Sequence, residues 1–176
     1  MTPDSLRQAG LAHFRAARLP EAAQAFAEAA DGYAAAGDQA AAAEMRNNVA
    51  VVRMALADWA GALAALAGIP ELFRALGDRR REGEALANQA AAHDGAGEVE
   101  PAVALYLQAI DCLGGAGETE TRAACYKKLS ALQIKLGQQL QALASMRSGL
   151  NLSSELTPKE KALKELLDKA MKMTGL

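Results

Sequence analysis

The segments AADGYAAAGD (29–38), IPELFRALGD (69–78) and AIDCLGGAGE (109–118) decide how this chain is read. Each closes on a Gly followed by an acid: Gly37-Asp38, Gly77-Asp78 and Gly117-Glu118, 40 residues apart. A fixed period in this range marks stacked supersecondary units, none of which can bury its apolar face alone. Architectures of this kind work by presenting an extended surface.

Working outward, other positions keep the period. Ala22, Ala62, Ala102 and Ala142 recur, as do the small residues Gly10, Ala50, Ala90, Ser130 and Ala170. Large apolar residues recur at Phe26, Leu66, Tyr106 and Met146, and at Tyr33, Phe73 and Leu113. Small residues let helices approach and large ones fill the holes between them. The unit is therefore a helical hairpin.

Composition supports an all-α chain. Alanine, the best helix former, is the commonest residue, and aromatics are only 4%. So few aromatics also argue against base stacking on single-stranded nucleic acid. Net charge is −2, but residues 1–118 carry −7 and residues 119–176 carry +5, an asymmetry able to steer a charged partner. The first residues lack a basic region followed by an apolar one, and no apolar run is long enough to span a bilayer. Cys112 and Cys125 have no CxxC spacing and read as small core hydrophobes. A cytoplasmic setting is expected, with no membrane and no cofactor.

Helices are expected near 3–17, 20–36, 39–56, 59–76, 79–96, 99–116, 119–136, 138–153 and 158–173. Thr2-Pro3-Asp4 supplies a cap, a first-turn Pro and an acid at the positive end of the first. Pro70, two residues after Gly68, sits inside the fourth and predicts a kink or a break into two pieces. Thr157-Pro158-Lys159-Glu160 supplies a capping box for the last. That helix carries Leu163, Leu166, Leu167, Ala170 and Met171 on one stripe. It reads as half of a fifth repeat covering the fourth, or else as a self-association helix.

These residues resemble a tetratricopeptide repeat array over nearly the whole chain. The family's usual period is 34; a period of 40 with Gly-Asp resembles its longer subclass, seen in LGN/Pins adaptors, kinesin light chains and MalT-like regulators. Residues 77–110 are similar to the LGN-type phrase, and AEMRNNVAVV (43–52) to the kinesin light chain phrase LNNLAxLY. The chain departs from the motif at Gln89, in place of Leu, and at His13, Arg53, His93 and Gln133, in place of Tyr. The resemblance implies one right-handed superhelical TPR-like solenoid over 1–176. Its repeats would be 3–38, 39–78, 79–118 and 119–156, with a capping helix at 157–176.

The resemblance also implies that the first helix of each hairpin lines a concave groove, where an Asn two residues before the small residue grips a peptide backbone. That position holds Gln8, Asn48, Asn88, Lys128 and Asp168. An Asn can hold a peptide unit as both donor and acceptor. Lys127, Lys128 and Lys135 are placed on one face, a patch that Lys164 would extend and that suits an acidic partner. Lys127 matches one position of the carboxylate-clamp repeats, but Ala131 stands where the clamp's Asn would be, so that assignment fails. Arg79, Arg80 and Arg81, offset by Glu82 and Glu84, read as a charged inter-repeat loop. His13 and His93 read as half-buried fillers.

HExxH, GxxxxGK[ST] and GxSxG are all missing, and GGAG (114–117) is too short for a phosphate loop. The reading is a non-enzymatic protein- or peptide-binding adaptor or scaffold. Two alternatives stay open: a self-assembly module in which the acidic body of one chain meets the basic end of another, and a MalT-like ligand-sensing domain.

Overall fold

The computed structural model describes residues 1–174, and all regular structure among them is helical. The helices are α1 (Pro3–Arg15), α2 (Leu19–Ala35), α3 (Gln39–Ala55), α4 (Trp59–Leu66), α5 (Ile69–Ala75), α6 (Arg79–Gly95), α7 (Val99–Ala116), α8 (Thr119–Lys135), α9 (Gln139–Leu152) and α10 (Pro158–Thr174). They form the hairpins α1/α2, α3/α4–α5, α6/α7 and α8/α9, with α10 standing as the first helix of a fifth. The second helix of each hairpin packs on the first helix of the next. The expected all-α repeat solenoid is what forms. The break at Gly68 makes ten helices of the nine expected.

One joint recurs at every connection before Leu152 except the break between α4 and α5. Residues 17, 37, 57, 77, 97, 117 and 137 all have positive φ, from 56° to 83°. The N–H of the next residue reaches the carbonyl five back, as in Asp38–Tyr33, Asp78–Phe73 and Glu98–His93, each at 2.9 Å. This is the Schellman closure, which satisfies carbonyls orphaned at a helix end. The same next residue caps the following helix: Asp38, Asp58 and Asp78 accept from the N–H of Ala41, Gly61 and Arg81. The backbone period is thus 20, half the period legible in the glycines at 37, 77 and 117. Ala17 and Ala57 take the left-handed conformation without the glycine that favours it.

The core is three apolar clusters in a row. Phe26 is buried over Gly10, where an added Cβ would sit 2.7 Å from the ring. Ala50 shares a cluster with Leu66, and Ala90 with Tyr106. Ser130 keeps the small position but donates its hydroxyl to the Ala142 carbonyl at 2.7 Å. Cys112 and Cys125 are free and buried in one cluster.

The break in the second hairpin frees two carbonyls. Gly68, at φ 75°, separates α4 from α5. Gln89 on α6 donates Nε2 to the Leu66 carbonyl at 3.2 Å, and Arg46 on α3 donates to the Ala67 carbonyl at 3.0 Å. The Gln that replaces Leu at 89 is therefore matched to the break at Pro70: it supplies the donor the broken helix no longer has.

At the other end, Thr157 and Glu160 form the expected capping box, N–H to carboxylate at 2.9 Å and N–H to hydroxyl at 3.3 Å. The stripe of α10 is only partly covered. Leu167 is buried and Leu163 half-buried, while Leu166 is 63% exposed and Ala170 is exposed. The Met171 side chain lies outside the described residues. Ion pairs add to this cover, with Lys127–Glu160 at 2.9 Å and Arg147–Asp168 at 2.6 Å.

Relieving the left-handed alanines should stabilise the fold. Ala17→Gly and Ala57→Gly should each gain about 0.5–1 kcal/mol, a rise of about 1–4 °C in Tm, because the αL cost to a Cβ exceeds the chain entropy of Gly. Gly97→Ala should lower Tm by a similar amount; thermal melting followed by circular dichroism checks all three. Gln89→Leu should cost about 1–3 kcal/mol despite restoring an apolar residue, since it strands the buried Leu66 carbonyl.

Candidate functional site: the face lined by first helices

Successive first helices are tied across one face of the solenoid. Arg81 on α6 meets Glu44 on α3 at 3.7 Å, and Asn88 donates Nδ2 to Asn47 Oδ1 at 3.0 Å. Lys135 on α8 meets Asp94 on α6 at 3.0 Å, and Lys127 meets Glu160 on α10 at 2.9 Å. These bridges fix the spacing of the helices that would contact a groove ligand.

The row one repeat apart now has distinct members. Gln8 on α1 is exposed. Asn48 on α3 is half-buried and its amide bonds to no described residue, leaving one donor group and one acceptor for a ligand. Asn88, also half-buried, is committed in part to Asn47, a residue that only the Asn-Asn doublet in the sequence could have flagged. Lys128 is exposed, with no carboxylate within ion-pair distance among the described residues. Asp168 is held by Arg147.

The expected lysine patch divides. Lys127 turns toward α10, where Glu160 takes it, and Lys135 turns toward α6, where Asp94 takes it. A helix advances about 100° per residue, so Lys127 lies a quarter turn from Lys128 and meets a different neighbour. The carboxylates that three clustered lysines would demand are supplied within the chain for two of them, and Lys128 has none among the described residues.

The arginine cluster is not the expected inter-repeat loop: Arg79, Arg80 and Arg81 form the first turn of α6, behind its cap Asp78, and their charges are answered within the chain. Arg80 pairs with Glu84, Arg81 with Asp78, and Arg79 with Glu82 and Asp111. Arg81 also lies 5.0 Å over the Phe73 ring. His93 is half-buried with Nδ1 against Glu98, and His13 is half-buried on α1. Among the described residues no group of three or more His, Cys, Asp or Glu side chains converges. Burial pushes the Cys112 thiol up, and pushes that of Cys125 up to about 11, so neither is a thiolate at neutral pH. No described helix is long and apolar enough to cross a membrane.

No protein-family model matches the sequence, and no curated protein matches it. The fold does match solved structures. One of 56 matching chains is BtubC (BKLC) from P. vanneervenii, a bacterial kinesin-light-chain-like protein of the TPR-type helical fold, with TM-score 0.77 at 16% identity. The match covers 89% of this chain and 66% of BtubC, just under two thirds of its length. This chain has a helical-repeat fold. At that identity the likeness is one of fold alone, and a fold so widely shared names no activity.

The bridge to α10 should be sensitive to acid. The hydrogen bond from Lys127, then those from the Thr157 backbone and hydroxyl, hold the Glu160 carboxyl at about 2 against its ordinary 4.5. Hydrogen bonding from Ser154 lowers Glu120 in the same way. A depressed carboxyl contributes stability that is complete above pH 4.5 and is lost as pH falls toward 2. Glu160→Gln should flatten the decline of Tm between those limits, and high salt should do so partly, since the pair is exposed. Melting curves across pH 5–2 measure both.

Proposed function

We propose that this chain is a non-enzymatic scaffold that holds an extended segment of a protein partner along the face of its first helices. The observation that carries the reading is the pair Asn48 and Lys128. They occupy equivalent positions two repeats apart and stay accessible, and no described residue answers either one. Most other polar side chains on this face are bonded within the chain. Asn48 would grip a peptide unit, and Lys128 would pair with an acidic side chain further along the segment. Gln8 lies in the same row at the α1 end, and Asn88 would contribute the acceptor its bond to Asn47 leaves unused. Lys127 and Lys135 would contribute field and not direct contact. A rigid array of helices pre-organises such a row, which limits the entropy lost on binding.

Peptides selected by display against the intact chain test this reading. Asn48→Ala should weaken a selected peptide by about 1–2 kcal/mol, the scale of a hydrogen bond whose partner is left unpaired. It should leave Tm unchanged or slightly raised, because Ala is the better helix former. Lys128→Glu should abolish the preference for acidic peptides and remove the salt dependence of binding. Asn88→Ala should weaken binding and also lower Tm, since it strands Asn47. Selected peptides that bind both Asn48→Ala and Lys128→Glu at full strength would move the binding surface off this face. Concentration-dependent sedimentation at low salt, lost at high salt, would instead favour self-assembly.

A further inference from the structure

Away from that face, three clefts repeat along the solenoid with the period of the sequence. The cleft of about 240 Å³ between α8 and α9 is lined by Arg122, Tyr126, Ser148, Asn151 and Leu152. Each stands 40 residues after a residue lining the cleft of about 420 Å³ on α6 and α7: Glu82, Leu86, Gln108, Asp111 and Cys112. Ala42, Arg46, Gly68 and Leu72 line a smaller cleft, of about 130 Å³, one repeat earlier still. The α6/α7 and α8/α9 clefts share one backbone, from which the smaller cleft departs only where Gly68 breaks its second helix, so the side chains can be compared place by place.

In the middle cleft the charges are answered internally. Glu82, 1% exposed, accepts from Arg74 at 2.7 Å and Arg79 at 3.3 Å, and Arg79 also meets Asp111 at 2.8 Å. In the third cleft both acids are gone. Arg122 stands at the place of Glu82, and Asn151 at that of Asp111. Gly114 replaces Arg74, and the Arg122 guanidinium fills the space this opens, 2.9 Å from where a Gly114 Cβ would be. It lies 5.7 Å over the Tyr126 ring, and its Nε is buried with no hydrogen-bond partner. No described carboxylate lies within ion-pair distance, and Glu120, two residues earlier, is engaged with the Ser154 N–H. The smallest cleft raises no such demand, because Ala42 fills the inner place and Arg46 is bonded to a carbonyl.

We propose that this third cleft receives the carboxylate of a Glu or Asp side chain from a protein partner, with Arg122 as its charged anchor. A single guanidinium fork matches one planar monoanion and can bind it through two parallel bonds. Asn151 and Ser148 supply polar groups at the rim, and Tyr126 and Leu152 supply apolar walls for the methylenes that carry the acid. All five residues keep some exposure, so the site is too shallow to enclose a free metabolite and suits a side chain presented by a larger surface. Arg122 and Tyr126 lie about 120° and about 160° around α8 from Lys128. This contact is therefore separate from the groove and stands whether or not the groove reading does.

The test titrates intact, arginine-15N-labelled protein with N-acetyl-glutamate N-methylamide, a model of a Glu side chain in a chain. The Arg122 Nε–Hε signal should shift saturably, and the neutral glutamine analogue should leave it in place. Arg122→Gln should assign and remove the response. Asn151→Asp should supply the missing acid from within, as Asp111 does for Arg79. Its Arg122 signal should start displaced, and its response to the probe should weaken at least about tenfold, the scale of losing a charge-assisted hydrogen bond. Inorganic phosphate at matched ionic strength separates the anion classes: a stronger response to phosphate than to the carboxylate would overturn the assignment. So would an Arg122 signal indifferent to the carboxylate, or an Asn151→Asp variant that responds like the parent.

Discussion

The left-handed residue that closes seven of the ten described helices is the constraint on which the rest of this structure depends. At positions 17, 37, 57, 77, 97, 117 and 137 it reverses the chain in one residue, and the next residue completes the Schellman bond and takes the N-cap position of the following helix, with a capping side chain at Asp38, Asp58 and Asp78. A connection this short leaves no slack, so each helix is delivered to the next in nearly the same geometry. Equal geometry makes position i meet the same environment as position i+40. That is why small residues face large ones at Gly10 and Phe26, and why small and large residues at the same places share a cluster in the later repeats.

Where the joint's regularity is broken, the repair is local and comes from neighbouring repeats. Gly68 and Pro70 interrupt a second helix, and donors from the first helices of its own hairpin and the next, Arg46 and Gln89, take up the freed carbonyls. Glu82 follows the same logic. A carboxylate almost fully out of water is tolerated because Arg74 and Arg79 both reach it, and removing either partner would leave a buried charge poorly compensated. The inter-repeat seams thus combine apolar packing with specific polar pairs, and the pairs fix which repeat can follow which.

The fold was legible because its signal is periodic and apolar. Gly37, Gly77 and Gly117 with their acids gave the period, and the helix limits followed to within a residue or two. Four of the seven joints stayed hidden for a physical reason. Ala17 and Ala57 carry no mark of a left-handed backbone, and Gly97 and Gly137 close first helices, out of phase with the glycines at 37 and 77. The candidate site was less legible. Helical geometry places Lys127, Lys128 and Lys135 on one helix, but their partners, Glu160 and Asp94, lie 33 and 41 residues away on neighbouring helices. In the sequence Asn88 stands open to a ligand for the same reason, because Asn47 becomes its partner only when α3 and α6 stack. Gln89 looked like a departure from a motif, and only the orphaned Leu66 carbonyl gives it a cause.

A repeat backbone also supplies its own control. Equivalent positions share surroundings, so a side chain that changes character from one repeat to the next has been released from the packing role its counterpart performs. The series Ala42, Glu82, Arg122 runs from neutral to acidic to basic at one inner place of one cleft. Glu82 is answered by two arginines from within. Arg122 is not answered, and an unanswered guanidinium at an inner position carries a desolvation cost that folding alone does not require. On the first-helix face, Asn48, Asn88 and Lys128 form a second such series, with one member committed to a neighbour and two left open. Each exception is read against the repeat that shows what the same place looks like when the chain satisfies it alone. By that comparison the two surfaces differ in kind. The first-helix face offers a row of separate polar groups suited to an extended segment, and the α8/α9 cleft offers one charged anchor suited to a single side chain.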